Sequence, residues 1–326
     1  MKQYNWGIIG PGKIAAKFAA ALPLAGNARL KAVASRNIAR AASFAATHGA
    51  DQTYDSYEQL AADPAIDVVY IATPHMFHAE NSLLCLQNGK AVLCEKPMAL
   101  NAAQVGEMIA ASRRHNAFLM EAMWTRFLPL MQQISEMIAA GKIGQIKYIR
   151  ADFGFLSPFQ PDSRLYDLRL GGGSLLDIGI YPLFLCLHLL GRPDKIRAAG
   201  HLAPTGSDET CHALLTYNDG RSAVISSTLA CQTSVTAEIA GTNGSIRIPT
   251  PWYKNDRLTW YRNGQPEEVI QLEPMVNGFE YQIREVTSCL EAGRIESTSL
   301  SHAFSLTMSQ TMDEIRRQIG VRYPVE

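Results

Sequence analysis

The sequence has no excess of charge of either sign, since it contains 30 Lys and Arg residues and 30 Asp and Glu residues. A protein that binds nucleic acid or an anionic membrane through its surface charge needs a basic excess, so this balance predicts neither partner. Charged residues make up 18% and hydrophobic residues 47% of the chain, a composition that argues against disorder. A small, roughly neutral substrate fits this composition better.

The patterns of metal sites, disulfide frameworks and membrane anchors are also missing. The six cysteines are scattered without a C-x-x-C pair, and the eight histidines form no H-E-x-x-H pair. No signal-type segment precedes Trp6, and no apolar run approaches the roughly 20 residues that a membrane helix needs. We therefore expect a cytoplasmic protein with free thiols, no metal ion and no membrane partner.

The apolar pattern predicts two domains within the 326 residues. In the first part, apolar strands alternate with Ala-rich helices, which predicts a parallel sheet covered on both faces. In the second part, strands follow one another with hairpin signals such as Asn263-Gly264, which predicts an antiparallel-rich sheet. We predict an α/β protein with a doubly wound Rossmann domain over residues 1–123. A C-terminal α+β domain with a large, mostly antiparallel sheet follows over residues 124–326.

A glycine motif directly follows the first predicted strand and opens a helix. It reads G-x-G-x-x-A, in which the first glycine permits a tight turn and the second lets a pyrophosphate approach the backbone. The phosphates would then meet the free N–H groups of the helix N-terminus. The motif predicts a dinucleotide site, formed by Gly10, Pro11, Gly12, Lys13 and Ile14.

The end of the second predicted strand indicates which dinucleotide is bound. NAD specificity needs an acid there, about 20 residues beyond the glycines, to hold the ribose hydroxyls. The chain instead has Ser35 and Arg36, and the next carboxylate, Asp51, lies beyond a whole helix. Arg36 can stack on adenine and pair with a 2′-phosphate beside the neutral donor Ser35, and Arg40 can add a second positive charge. We therefore predict NADP as the cofactor.

Two further motifs carry a resemblance to a known family. The stretch Ala72-Thr73-Pro74-His75-Met76-Phe77-His78 precedes a predicted strand that ends in Glu95-Lys96-Pro97. Together with the glycine motif, they make the whole chain resemble the glucose–fructose oxidoreductase / inositol dehydrogenase (Gfo/Idh/MocA) family. The resemblance implies a cis bond before Pro97 and cofactor contacts from Thr73, Pro74, His75, His78, Glu95 and Lys96. For the two histidines a purely structural role is the alternative.

A third motif narrows the resemblance to one branch of the family. Glu121-Ala122-Met123-Trp124-Thr125-Arg126-Phe127 resembles the branch of dimeric trans-dihydrodiol dehydrogenases and NADP-dependent D-xylose dehydrogenases. Tyr181, eight residues after the Gly-rich turn Gly171-Gly172-Gly173, stands where many family members carry a histidine, and in this branch a tyrosine is expected there. The branch places Trp124 and Arg126 beside the cofactor. The family implies a homodimer formed through the large sheet.

The candidate catalytic residues are Tyr181, Lys96 and Asp177. Asp177 and Tyr181 are four residues apart, which puts them on one face of a helix. A phenol has a pKa near 10, too high for an efficient base at neutral pH, unless a nearby ammonium favours the phenolate. We predict Tyr181 as proton donor and acceptor, Lys96 as its electrostatic partner and Asp177 as the orienting group. The roles of Tyr181 and Lys96 can be exchanged, because a desolvated lysine can itself be the base.

Aromatic residues are the candidates for the substrate pocket. Aromatic faces suit the apolar side of a sugar ring and of a dihydrodiol equally well, so they do not choose between these substrates. Side chains of this size lie in a core more often than in a pocket. The candidates are Trp124, Phe153, Tyr181, Trp252 and Phe279.

These expectations describe an NADP-dependent oxidoreductase that acts on an aldose, a vicinal diol or a sugar-like carbonyl. One alternative is a dinucleotide-sensing regulator of the same fold without turnover, since the family includes such proteins. The presence of Lys96, Asp177 and Tyr181 argues against it. A second alternative is an inositol-type dehydrogenase. The tyrosine in place of histidine, and Arg36 in place of an acid, make it less favoured.

Overall fold

A computed structural model of the chain describes residues 2–324. The chain divides into two compact units, each built from two separate stretches. The first unit contains the residues up to Phe127 together with Val276–Ser309. The second contains Leu128–Met275 and the chain from Gln310 onward. The predicted domain boundary after residue 123 stays a prediction.

The described residues form fourteen strands and nine α-helices. The strands are β1 Tyr4–Ile9, β2 Ala28–Ala34, β3 Gln52–Tyr54, β4 Val68–Ile71, β5 Ala91–Glu95, β6 Leu119–Ala122, β7 Ile146–Gly154, β8 Lys195–Leu202, β9 Asp208–Thr216, β10 Ser222–Thr228, β11 Ala237–Gly241, β12 Gly244–Ile248, β13 Arg257–Arg262 and β14 Glu268–Gln271. The helices are α1 Lys13–Ala21, α2 Ile38–His48, α3 Tyr57–Ala62, α4 His78–Gln87, α5 Ala102–His115, α6 Pro129–Ala139, α7 Ile180–Leu190, α8 Glu280–Glu291 and α9 His302–Ile319.

The sheet of the first unit is parallel throughout and has the strand order β3-β2-β1-β4-β5-β6. This is the order of a dinucleotide-binding Rossmann sheet, in which the direction of winding reverses between β1 and β4. β4 and β5 are buried along their whole length, as strands covered on both faces must be. The predicted doubly wound parallel sheet is confirmed.

Polar side chains cap three helices of this unit. The side chains of Asn37, Ser56 and Asn101 each accept a backbone N–H in the first turn of α2, α3 and α5. These bonds satisfy N–H groups that have no partner within the helix. Gly49 ends α2 with a left-handed φ of 75°.

The second unit is built on a sheet with the order β14-β13-β12-β11-β7-β10-β9-β8. Among the described strands of this sheet, only β7 and β10 pair in parallel, and all the other neighbours are antiparallel. The predicted, mostly antiparallel sheet is therefore confirmed. Two strands, the edge strand β3 and β12, carry no strand signal in the sequence. β3 consists of Gln-Thr-Tyr, and β12 has only two isoleucines to mark it, so neither shows an apolar run.

The segment Leu168–Leu190 corrects one expectation about the membrane. By its length and its mean hydropathy of 1.6 it is apolar enough to cross a membrane, so the prediction that no such run exists is wrong. In the structure 89% of its apolar window is buried inside the protein. Its hydrophobicity is accounted for by its place in the core.

Candidate active site

The glycine turn after β1 lies where the winding of the parallel sheet reverses. Gly10 has a φ of +89°, and a Cβ placed on it would lie 2.9 Å from the backbone of Ala72 and Thr73. The loop after β4 therefore occupies the space that a side chain at Gly10 would need. Ligands of open α/β sheets bind at this edge, beyond the carboxyl ends of the strands.

Gly12 differs from Gly10, because no neighbouring group of the described chain fills the space beside it. Its φ of −112° is open to any residue, and a Cβ there would meet the described atoms only at Gly10 O, 4.0 Å away. Within residues 2–324, no side chain caps the N-terminus of α1 and no acid lies in its first turn. The N–H groups of the helix, with open space above Gly12, fit the pyrophosphate of a dinucleotide.

The end of β2 carries positive charge. Arg36 is exposed, and its guanidinium carbon lies 5.4 Å from the centroid of the Phe77 ring. Ser35 is buried, and its hydroxyl accepts the N–H of Asn37 at 3.3 Å. The carboxylate of Asp51 pairs with Lys31 at 3.0 Å, well before the end of the strand. The first acid after the glycine motif is therefore held elsewhere by an ion pair.

A cavity of about 650 Å³ opens beside Arg36 within the first unit. Thr73, Pro74 and Phe77 line it, together with the acids Asp55 and Glu58. Apolar rings and a guanidinium are suited to hold an adenine base. Arg40, at the start of α2, is exposed like Arg36.

His78 joins the two loops that follow β4 and β5. It is buried, with Nδ1 2.7 Å from the carbonyl oxygen of Pro97 and Nε2 2.8 Å from that of Thr73. Burial lowers the pKa of this imidazole. The Lys96–Pro97 bond is cis, as the resemblance implies. The ring of His75 packs edge-on against His78, with centroids 5.5 Å apart.

Two buried acids hold the turn that carries Lys96. Glu95 accepts the Lys96 N–H at 3.2 Å through one oxygen and the Tyr70 hydroxyl through the other. Glu121 accepts the N–H of Met98 at 2.9 Å, while its second oxygen is buried without a partner among the described residues. Burial raises the pKa of Glu121 to about 7. Glu121 was not predicted as a site residue. An acid within an otherwise apolar, buried strand is nevertheless a sequence signal of a functional or positioning role.

Two of the predicted aromatic residues meet within the first unit. Trp124 and Phe279 stack with ring centroids 5.0 Å apart and an angle of 8° between their planes, and both are buried. Arg126, next to Trp124 in sequence, donates from Nε to the carbonyl oxygen of Ser299 at 2.9 Å. Arg126 therefore ties this segment to the stretch that precedes α9.

The second unit brings Tyr181 into an aromatic cluster with Phe153 and Tyr253. Phe153 and Tyr253 stack at 4.4 Å, and the Tyr181 ring lies 5.6 Å and 5.2 Å from them between centroids. Trp252 is 1% exposed, and its indole N–H donates to the Asp152 carbonyl at 2.9 Å, so this predicted pocket residue belongs to the core. Its neighbour Tyr253, which was not predicted, contacts Phe153 and Tyr181 instead.

Asp177 and Tyr181 do not lie on one continuous α-helix. Leu175–Gly179 wind as a π-helical turn, and α7 begins only at Ile180. Pro182 has no N–H to donate to the carbonyl of Ile178, which disfavours an uninterrupted α-helix at this point. Asp177 is nearly buried and accepts a hydrogen bond from the Arg164 guanidinium at 2.9 Å. Arg164 lies in an irregular segment, where the sequence carries no periodic signal.

Comparisons with known proteins agree with this geometry. Residues 4–123 match the N-terminal domain of the GFO/IDH/MocA family, described as "Oxidoreductase family, NAD-binding Rossmann fold". Residues 131–247 match the C-terminal domain of the same family. Trans-1,2-dihydrobenzene-1,2-diol dehydrogenase from Xenopus laevis is 40% identical, over 98% of this chain and 99% of the relative. The enzyme of the same name from Danio rerio is 41% identical, over 98% of each chain.

Solved structures resemble the whole chain as well. A 3-ketoreductase from Actinomadura kijaniata, in complex with NADP and TDP-benzene, is 26% identical over 98% of both chains with a TM-score of 0.88. An aldose–aldose oxidoreductase from Caulobacter crescentus has the same fold, with 23% identity over 97% of both chains and a TM-score of 0.88.

The buried carboxyl of Glu121 predicts a pH-dependent stability. Burial raises the pKa of Glu121 in the folded protein to about 7. Its contribution to the free energy of unfolding is therefore largest below about pH 4.5, the pKa of a glutamate in the unfolded chain, and is lost as the pH rises toward 7. Glu121→Gln keeps the shape without the charge. The free energy of unfolding of this variant relative to the natural protein should therefore rise by about 3 kcal/mol between pH 5 and pH 8.

Urea unfolding at both pH values measures this difference, with the exposed Glu107→Gln on α5 as the matched control. A difference that stays the same at the two pH values would show that Glu121 is ionised in the folded protein throughout.

Proposed function

The chain belongs to the Gfo/Idh/MocA oxidoreductase family, and we propose that it is an NADP-dependent dehydrogenase acting on CH–OH groups. Its substrate is a vicinal diol, an aldose or a sugar-like carbonyl. The names of the full-length relatives support a diol substrate. The observation that carries the proposal is the phenol of Tyr181, held in an aromatic cluster on the segment that also carries Asp177.

The residues present fit a bound NADP. The turn at Gly10 and Gly12 and the N-terminus of α1 would hold the pyrophosphate, and Ser35, Arg36 and Arg40 would hold the 2′-phosphate and the adenine. When bound, the nicotinamide supplies or accepts a hydride. Arg36 distinguishes NADP from NAD because a guanidinium stabilises the phosphate and offers no acceptor to ribose hydroxyls.

The protein's own part in the chemistry is to move one proton. In the direction of oxidation Tyr181, as phenolate, accepts the proton of the substrate hydroxyl, and in reduction its phenol O–H returns it. Asp177, paired with Arg164, orients the segment and the substrate. That Lys96 supplies the positive charge that favours the phenolate, or is itself the proton carrier, stays a prediction.

The faces of Phe153 and Tyr253 favour a ring-shaped substrate, because flat aromatic surfaces bury the C–H face of a sugar or a dihydrodiol. We further propose that the enzyme works in the cytoplasm as a homodimer formed through the large sheet.

Tyr181→Phe should leave the dissociation constant of NADPH within about twofold and lower turnover by roughly 10²–10⁴-fold, because the ring remains and the proton carrier is lost. Steady-state rates together with fluorescence titration of NADPH check this. Tyr217→Phe is the control, since Tyr217 is a buried tyrosine of the same unit whose hydroxyl bonds only to the Gly191 carbonyl among the described residues. Near-normal turnover of Tyr181→Phe would move the proton transfer to another group, with Lys96 the first to replace.

Arg36→Ala should weaken NADP(H) binding by roughly 10–100-fold, the usual size of a lost charge-assisted hydrogen bond, and leave NAD(H) binding nearly unchanged. The dissociation constants of all four dinucleotides measure this. Arg114→Ala, an exposed arginine at the end of α5, is the matched control. An equal loss for NADP and NAD would show that Arg36 does not read the phosphate.

The experiment that tests the function is a rate measurement on a panel of substrates, each with NADP(H) and with NAD(H). The panel holds a trans-dihydrodiol, D-xylose, D-glucose, myo-inositol and simple dicarbonyls. NADP-linked turnover of a diol or an aldose supports the proposal, and turnover of myo-inositol alone would favour an inositol-type dehydrogenase. Tight NADPH binding without any turnover would favour a dinucleotide-sensing regulator.

A further inference from the structure

Asp208 is a fully buried acid in the second unit that the proposed chemistry does not use. It begins β9, and its relative exposure is 0%. One carboxylate oxygen accepts two hydrogen bonds of 2.7 Å, from the hydroxyl of Ser174 and from the backbone N–H of Leu175. Leu175 is the first residue of the π-helical turn that carries Asp177. The carboxylate therefore binds the residues at which the helical segment begins.

The Gly-rich turn before this segment is shaped around the same carboxylate. Gly173 has a φ of +135°, and a Cβ on it would lie 2.2 Å from the second carboxylate oxygen of Asp208. The hydroxyl of Tyr323 donates to the carbonyl of Gly172 in the same turn at 2.8 Å. A side chain at position 173 would collide with the carboxylate, so only a glycine there allows Asp208 to bind the turn.

Ser227, on β10, contacts the same segment. The Ser174 hydroxyl also lies 2.9 Å from that of Ser227, and a Cβ on Gly179 would lie 2.8 Å from the Ser227 hydroxyl oxygen. Both ends of the π-helical turn thus contact the same strand, β10. A shift at Asp208 would be transmitted to Asp177 and to Tyr181, because the segment between these anchors is buried throughout.

We propose that Asp208 is a positioning residue for catalysis: by binding Ser174 and Leu175 it fixes the start of the segment that presents Asp177 and Tyr181. The inference rests on the proposed function, because it assumes the role of Tyr181. Charge-assisted hydrogen bonds of this length are among the stronger ones in proteins. Asp208 itself is buried and acts through the segment, not on the substrate.

The test compares Asp208→Ala, Asp208→Asn and Ser174→Ala at pH 8, where the carboxyl is ionised although burial raises its pKa to about 6. Asp208→Ala should lower kcat by roughly 10–100-fold, as displacement of a reacting group by about 1 Å does. KM should change by less than threefold, and NADPH affinity should not change, since the glycine motif lies in the first unit.

Asp208→Asn should keep most of the activity that Asp208→Ala loses, because its amide oxygen can accept the same two hydrogen bonds. The second oxygen of Asp208 has no hydrogen-bond donor among the described residues, so an amide NH₂ can take its place. Ser174→Ala removes only one donor, should cost roughly 3–10-fold in kcat, and keeps the test open if Asp208→Ala fails to fold. Asp219→Ala, an exposed acid in the turn after β9, is the control.

Wild-type kcat in both Asp208→Ala and Ser174→Ala would overturn the inference, as would an Asp208→Asn variant no better than Asp208→Ala. Tyr181→Phe is measured in parallel. If Tyr181→Phe loses turnover while the Asp208 and Ser174 variants keep it, only this inference fails. If Tyr181→Phe keeps turnover, the proposed chemistry fails.

Discussion

The close approach of two backbones at Gly10 is the contact on which the cofactor site of this protein depends. The turn after β1 packs so tightly on Ala72 and Thr73 that a Cβ would lie 2.9 Å from their backbone atoms. This contact brings the two loops on either side of the winding reversal together. It places the N-terminus of α1, the loop that His78 holds and the end of β2 at one edge of the sheet. At that edge the partial charges of N–H groups and the charge of Arg36 favour a phosphorylated ligand.

Buried acids recur around the candidate catalytic residues. Glu95 and Glu121 bind the backbone N–H groups of Lys96 and Met98, and Asp208 binds that of Leu175. A carboxylate costs free energy to bury. The raised pKa values of Glu121 and Asp208 indicate that their hydrogen bonds recover only part of that cost. Glu121 and Asp208 each leave one oxygen without a partner among the described residues. Such an arrangement gives up stability to hold two short backbone segments in one conformation, which is what a preorganised site requires.

The aromatic residues of the second unit could be assigned only in part from the sequence. Phe153 and Tyr181 were predicted for the substrate site and do lie together, whereas Trp252 is a core residue and Tyr253 takes the place beside them. Sequence reasoning could not separate the two neighbours, because a short 3₁₀ turn at Trp252–Lys254 decides which ring points to the cluster and which to the core. Similarly, Pro182 indicates a helix irregularity, but only the packing of Gly179 on Ser227 shows where it falls.

The amino-acid sequence was enough to predict the class of this protein, an oxidoreductase that binds a nicotinamide dinucleotide, and the parallel and mostly antiparallel character of its two sheets. Strands and glycine turns have local signatures, since apolar period, caps and positive φ are properties of neighbouring residues. The sequence does not show that Asp51 pairs with Lys31, that Asp177 binds Arg164, or that Asp208 and Glu121 anchor the two turns, and these contacts arise from the folded packing. These pairs are distant in sequence or lie in irregular segments. What brings them together is the packing of strands and loops, and no local pattern records which acid a given turn will meet.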